Sequence, residues 1–90
     1  MLHTTKVSQF NGRNGAVKNQ FILTTSEGKF FQSYDSVIAF ISNDGKTKLD
    51  DRYWDYSKTT GKYRNQFLGE NKKATERKIA AGEYELTNLN

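Results

Sequence analysis

The chain has 90 residues, of which 34% are hydrophobic, 13% aromatic and 27% charged, with a formal net charge of +4. A chain of this size forms one domain that buries about 60 to 65% of the surface exposed when unfolded, and its aromatic content excludes a disordered tail. With no cysteine present, neither a disulfide framework nor a thiolate metal site is available, so a reducing cytoplasm is the expected compartment.

The start, MLHTTKVSQF, lacks the charged end and apolar stretch of a signal peptide. The longest apolar run, Val37 to Ile41, is far shorter than the roughly 20 residues that span a membrane, and no membrane partner is expected. Proline is absent and no repeat or linker divides the sequence, so residues 1–90 read as one domain.

Lys6 to Phe10 reads as a strand, followed by turn material in Asn11-Gly12-Arg13-Asn14-Gly15. Val17, Phe21 and Leu23, at even spacing, predict a second strand with these three on one face. After a turn at Ser26-Glu27-Gly28, Lys29 to Tyr34 alternates less cleanly. The β-branched and aromatic run Val37 to Ile41 suits a buried strand, against the alternative of a short helix over Asp35 to Ser42. Asn43-Asp44-Gly45 then turns the chain into Lys46 to Asp50.

Past Asp51 the period changes. Ser57 or Thr60 caps a helix carrying Tyr63, Phe67 and Leu68 on one face and ending at Gly69. Asn71 caps a second, Lys72 to Ala81, whose thin apolar face is Ala74, Ile79 and Ala80 or Ala81, ended by Gly82. Tyr84 and Leu86 alternate with glutamates, which leaves open a C-terminal edge strand as the fifth. The expected class is α+β: an antiparallel sheet of four or five strands with two short C-terminal helices packed on one side.

Catalytic chemistry finds little support. His3 is the sole histidine and stands in a terminal segment, where fraying is usual. Asp50, Asp51 and Asp55 lack the alternating spacing of a calcium loop and suit a solvated turn. Thr59-Thr60-Gly61-Lys62 lacks the upstream glycine of a phosphate loop. The expectation is a protein that is not an enzyme and uses no cofactor or metal.

Binding chemistry concentrates between Tyr53 and Lys78. Lys58 to Lys78 holds seven cations, Lys58, Lys62, Arg64, Lys72, Lys73, Arg77 and Lys78, against Glu70 and Glu76. Trp54, Tyr56 and Tyr63 stand beside the first of them at a helix start. Aromatics stack on bases, while cations and N-terminal amides bind phosphates. The same aromatics also suit a small core, and the lysines a solvated helix face. These ten residues are the candidate binding set, with Trp54, Tyr56 or Arg64 as anchor because aromatics and arginine dominate interface hot spots. Self-association through an edge strand, Lys6 to Phe10 or Tyr84 to Asn88, is left open as a route to a homo-oligomer.

The order Ser33-Tyr34-Asp35-Ser36-Val37-Ile38-Ala39, then Tyr53-Trp54-Asp55-Tyr56-Ser57-Lys58-Thr59-Thr60-Gly61-Lys62-Tyr63 and Phe67-Leu68, resembles a family of small uncharacterised proteins of bacteriophages and prophages. The resemblance runs from Phe21 to Asn90, and Trp-Asp-Tyr-Ser-x-Thr-Thr is its most specific part. It implies a phage product in the bacterial host cytoplasm and supplies no catalytic residue. The leading expectation is a non-enzymatic protein that binds a host protein or complex, as an inhibitor or anti-defence factor. The alternative is binding of DNA or RNA by the same basic and aromatic surface.

Overall fold

The structure, a computed structural model, describes residues 4–12 and 15–90. Five strands follow one another as an antiparallel meander: β1 (Thr4–Gly12), β2 (Gly15–Thr25), β3 (Gly28–Ser33), β4 (Ser36–Ser42) and β5 (Thr47–Asp50). Two helices, α1 (Lys58–Leu68) and α2 (Lys72–Ala80), lead to β6 (Tyr84–Thr87), which lies beside β5. The sheet thus has six strands rather than four or five, and its last pair is parallel. That follows from the connection: a hairpin reverses the chain, whereas a helical crossover returns it in the same direction.

Ser36–Ser42 is a strand, as its β-branched run predicts, and Asn43-Asp44-Gly45 makes the turn after it, with Gly45 at φ 87. Tyr34 and Asp35 close the preceding hairpin, with Tyr34 at φ 55 and its N–H donating to the Asn19 carbonyl at 2.8 Å. Asn19 itself has φ 65 within β2. Around it β2 takes five residue steps, Ala16 to Phe21, where β1 takes two, Asn11 to Gln9. The bulge breaks the alternation that the sequence suggests. Val17 and Ile22 pack against the core, whereas Phe21 and Leu23 stand on the opposite face. Residues 13 and 14 of the first turn, and His3, lie outside the described residues.

The core is Phe10, Phe31, Ile38, Ala39 and Leu49 on the helix-bearing face. Phe67 of α1 stacks on Phe31 at 5.8 Å, and Tyr63 meets Phe10 at 5.6 Å. Leu68, and Ile79 from α2, complete the layer. The other face carries the Phe30–Phe40 ring pair at 4.3 Å. Gly28 (φ 152) lies so close to β4 that a Cβ would meet the Ile41 carbonyl and the Ser42 Cα.

Helix ends follow the residue chemistry. Ser57, not Thr60, caps α1, its hydroxyl accepting from Thr60 N–H, and Gly69 at φ 71 ends the helix. Asn71 caps α2 by accepting from Ala74 N–H at 2.9 Å. The α2 face differs from expectation: Thr75 is its buried residue, beside half-buried Ile79 and Ala74, while Ala80 and Ala81 are exposed. Thr75 is held inside by bonds from its hydroxyl to the Glu70 carboxylate and the Asn71 carbonyl.

Asp50 fastens the end of the chain. It is 1% exposed, and its carboxylate accepts from the backbone of Arg52, Tyr53 and Leu89 and from Asn90 Nδ2, at 2.8–3.0 Å. Burial pushes this carboxyl up, but the hydrogen bonds outweigh it and hold its pKa below the ordinary value. With its lone pairs so used, Asp50 is a structural clamp and not a cation ligand.

Candidate functional site

The segment Tyr53–Ser57 lies against the start of α1, and Arg64 joins the two. Arg64 is 1% exposed. Its Nη1 donates to the Trp54 carbonyl at 2.7 Å and to Asp55 Oδ1 at 3.1 Å, and its Nη2 to Asn65 Oδ1 at 3.0 Å. The guanidinium also stacks on the Trp54 ring, 5.1 Å from its centroid. Arg64 therefore works inside the domain, and the sequence-based expectation of a surface anchor is corrected. Its planar fork is what lets one side chain hold a carbonyl and a carboxylate at once.

Asp55 receives a second cation, Lys72, whose Nζ stands 2.7 Å from Oδ2. Burial raises the Asp55 carboxyl, but hydrogen bonds from Lys72 and Arg64 outweigh it and lower its pKa, while the Asp55 bond raises that of Lys72. This shared carboxylate ties the first residue of α2 to the turn before α1.

Around that tie lies an open depression of about 590 Å³, lined by Asp55, Ser57, Lys58, Gly61, Lys62, Arg64, Asn65 and Lys72. Four cations against one carboxylate leave it with an excess of three positive charges. Helix geometry adds the first N–H groups of α1, which have no intrahelical acceptors. Gly61 keeps the floor low: a Cβ there would stand 3.7–3.8 Å from the Arg64 fork and Asp55 Oδ1. Lys58 and Lys62, four residues apart on α1, are exposed, and neither has an ion pair among the described residues. Tyr56, 66% exposed, immediately precedes the Ser57 cap and meets Tyr53 edge-on at 5.7 Å.

The other predicted residues divide by partner. Trp54 and Tyr63 are half-buried and pack against the core. Lys73 and Arg77 are exposed along α2 and lack ion pairs among the described residues. Lys78 is engaged by Glu70 Oε1 at 2.7 Å, and Tyr84 donates its hydroxyl to the same oxygen at 2.9 Å. Burial raises Glu70, but bonds from Lys78, Thr75 and Tyr84 bring its pKa below the ordinary value. Of the ten candidates, Tyr56, Lys58, Lys62, Lys73 and Arg77 thus face solvent without a carboxylate. Gly61 and Asn65 belong to the site but carry no sequence signal, because their contribution depends on where the Arg64 fork lies.

A family model described as a family of unknown function, DUF8033, matches residues 5–83. The chain belongs to that family. The matched span includes the depression and both helices, so the site lies within the family's shared domain. Comparison with curated proteins and with solved structures gave no match. Among the described residues no helix is long and apolar enough to cross a membrane, and no three or more His, Cys, Asp or Glu side chains are grouped as they would be to hold a metal ion.

Proposed function

We propose that this DUF8033 protein is a non-enzymatic binding protein of bacteriophage origin that engages nucleic acid in the host cytoplasm through the basic depression at the start of α1. The observation that carries the reading is a depression at the α1 N-terminus lined by exposed, unneutralised Lys58 and Lys62, with exposed Tyr56 just before the helix cap in the chain. Lysines and helix N–H groups suit phosphates, and an exposed aromatic supplies a sequence-tolerant stacking surface for an unpaired base. Lys73 and Arg77 supply further exposed cations on α2, at a second depression that also holds Glu76. The phage origin rests on the resemblance carried by Ser33–Ala39, Tyr53–Tyr63 and Phe67-Leu68.

An inhibitor that docks on a host protein would draw on the large residues of the same segment. Interface energy is concentrated in tryptophan, tyrosine and arginine. Here Arg64 and much of Trp54 and Tyr63 are used for packing, which leaves Tyr56 alone as an exposed anchor in this segment. The remaining surface is lysine-rich, which favours the nucleic-acid reading.

The test is fluorescence anisotropy with labelled single-stranded DNA and RNA across a salt series. Contact with four phosphates gives a slope of log K against log salt of about −2.8, hence roughly a 50-fold loss from about 50 to 200 mM salt. Lys58→Glu with Lys62→Glu should reduce both the affinity and that slope. A flat salt response, or a double variant that binds as well as the parent, defeats the proposal and returns the argument to a protein partner.

A further inference from the structure

The strand order leaves β1 and β6 at the two edges of the sheet, and the edges are protected very differently. β6 has four residues, includes Glu85 and follows Glu83. β1 has nine residues, no proline and one charged side chain, Lys6. Its outer backbone N–H and C=O groups have no strand beside them among the described residues.

Val7 is 60% exposed on this edge. It pairs with Leu23, Leu23 with Phe30, and Phe30 with Phe40, so the four form one apolar row on the helix-free face. Exposure falls to 7% and 8% at the two phenylalanines. The row ends at Lys48 on one side and is open at Val7 on the other.

We propose that the protein forms a two-fold dimer by antiparallel pairing of β1 with β1 of a second copy, centred on Val7. Register follows from symmetry and charge. Facing side chains in an antiparallel pair share a sheet face, so the two-fold must set one residue opposite its own copy. Register shifts on either side leave Lys6 to Gln9 as the regular stretch. Centring on Lys6 opposes like charges, and centring on Ser8 or Gln9 places Val7 opposite Gln9 or Asn11. Centring on Val7 opposes the two valines, sets Lys6 against Ser8, and joins two four-residue apolar rows into one of eight. The two-fold axis is normal to the sheet, so both sets of helices lie on the same side of a twelve-stranded sheet. Both basic depressions then face one way. That last consequence bears on function only if the nucleic-acid reading holds; the dimer does not depend on it.

Pairing over so short a stretch falls below the roughly 800 Å² per partner of a standard interface, so the dimer is reversible and concentration-dependent. Sedimentation velocity from micromolar to millimolar protein, without nucleic acid, should show monomer converting to dimer. Val7→Lys should abolish the conversion while leaving the circular dichroism spectrum and melting midpoint unchanged. Facing Cα atoms stand about 4.5–5.5 Å apart, within disulfide reach. In this cysteine-free chain, Val7→Cys should therefore oxidise to a covalent dimer under conditions that leave Glu85→Cys, on the other edge, monomeric. A monomer at every concentration overturns the proposal and leaves β1 open to a strand from another protein. Dimerisation unaffected by Val7→Lys, or equal cross-linking by the two cysteine variants, overturns it as well.

Discussion

Replacing Arg64 by methionine separates an internal strut from a contact residue. Methionine keeps much of the aliphatic stem and removes the bonds to the Trp54 carbonyl, Asp55 and Asn65. Breaking a fully buried ion pair costs about 3 to 5 kcal/mol, but Asp55 is 34% exposed and keeps Lys72 at 2.7 Å. The loss is then chiefly that of hydrogen bonds from a charged donor, partly recovered through water, which sets the expectation at about 2 to 3 kcal/mol. Nε has no partner in the parent, so its removal forfeits no bond. A 90-residue domain is stable by roughly 5 to 13 kcal/mol, so the midpoint should fall by roughly 10 to 20 °C. Thermal and urea unfolding followed by circular dichroism read both quantities. A stability change under about 1 kcal/mol, together with lost nucleic-acid affinity, would refute the strut and restore Arg64 as a contact.

Three further outcomes are expected. Tyr56→Ala should leave stability unchanged, since the ring is 66% exposed, and weaken single-strand binding by about 1 to 3 kcal/mol, roughly 5- to 150-fold in anisotropy titrations. Gly61→Ala should stabilise α1 by up to about 1 kcal/mol, because the added Cβ meets only ordinary contacts, yet weaken binding by raising the floor of the depression; a melt and a titration check both signs. Asp50, Asp55 and Glu70 all titrate below their ordinary values in the fold, hydrogen bonds and ion pairs outweighing burial. Their contribution is complete above the unfolded pKa of about 4 and is lost as pH falls through the lower folded values. Asp50→Asn should lower neutral-pH stability by about 2 kcal/mol and flatten this acid limb in unfolding curves taken across it.

The sequence was most informative where local chemistry decides. The turn at Asn43-Asp44-Gly45, the stop at Gly69 and the cap at Asn71 were all legible because each depends on one residue's own chemistry, a left-handed backbone at the glycines and a side-chain acceptor at Asn71. The faces of β2 were not, since Asn19 takes a left-handed conformation, open to asparagine but placed within the strand only in the folded pairing, where its carbonyl accepts from Tyr34 N–H. The parallel β5–β6 pair was missed for a similar reason: period-2 alternation at Tyr84 and Leu86 announces a strand but not its direction. Within the site, Lys58 and Lys62 were readable as an exposed helical pair. Arg64 was not, because its partners lie nine and ten residues earlier and meet it only after the Tyr53–Ser57 turn has formed.

The division of labour within Tyr53–Arg64 follows from the size of the domain. Among the described residues seven apolar side chains are buried against eight polar ones, including Gln20, Thr60, Arg64 and Thr75. A core that small cannot hold two helices on a six-stranded sheet by apolar burial alone. The half-buried Trp54 and Tyr63 add area, and the Arg64 fork and the Ser33–Thr60 hydroxyl pair at 3.0 Å add direction. Trp54 and Arg64, the strongest candidates for recognition on residue type, are thereby committed to folding. On the proposed reading, recognition is left to side chains that the fold can spare, Tyr56 and the lysines around the start of α1. Substitutions in this one segment should accordingly divide into two groups: those at Trp54, Tyr63 and Arg64 lower stability, and those at Tyr56, Lys58 and Lys62 lower affinity in a protein that melts as the parent does.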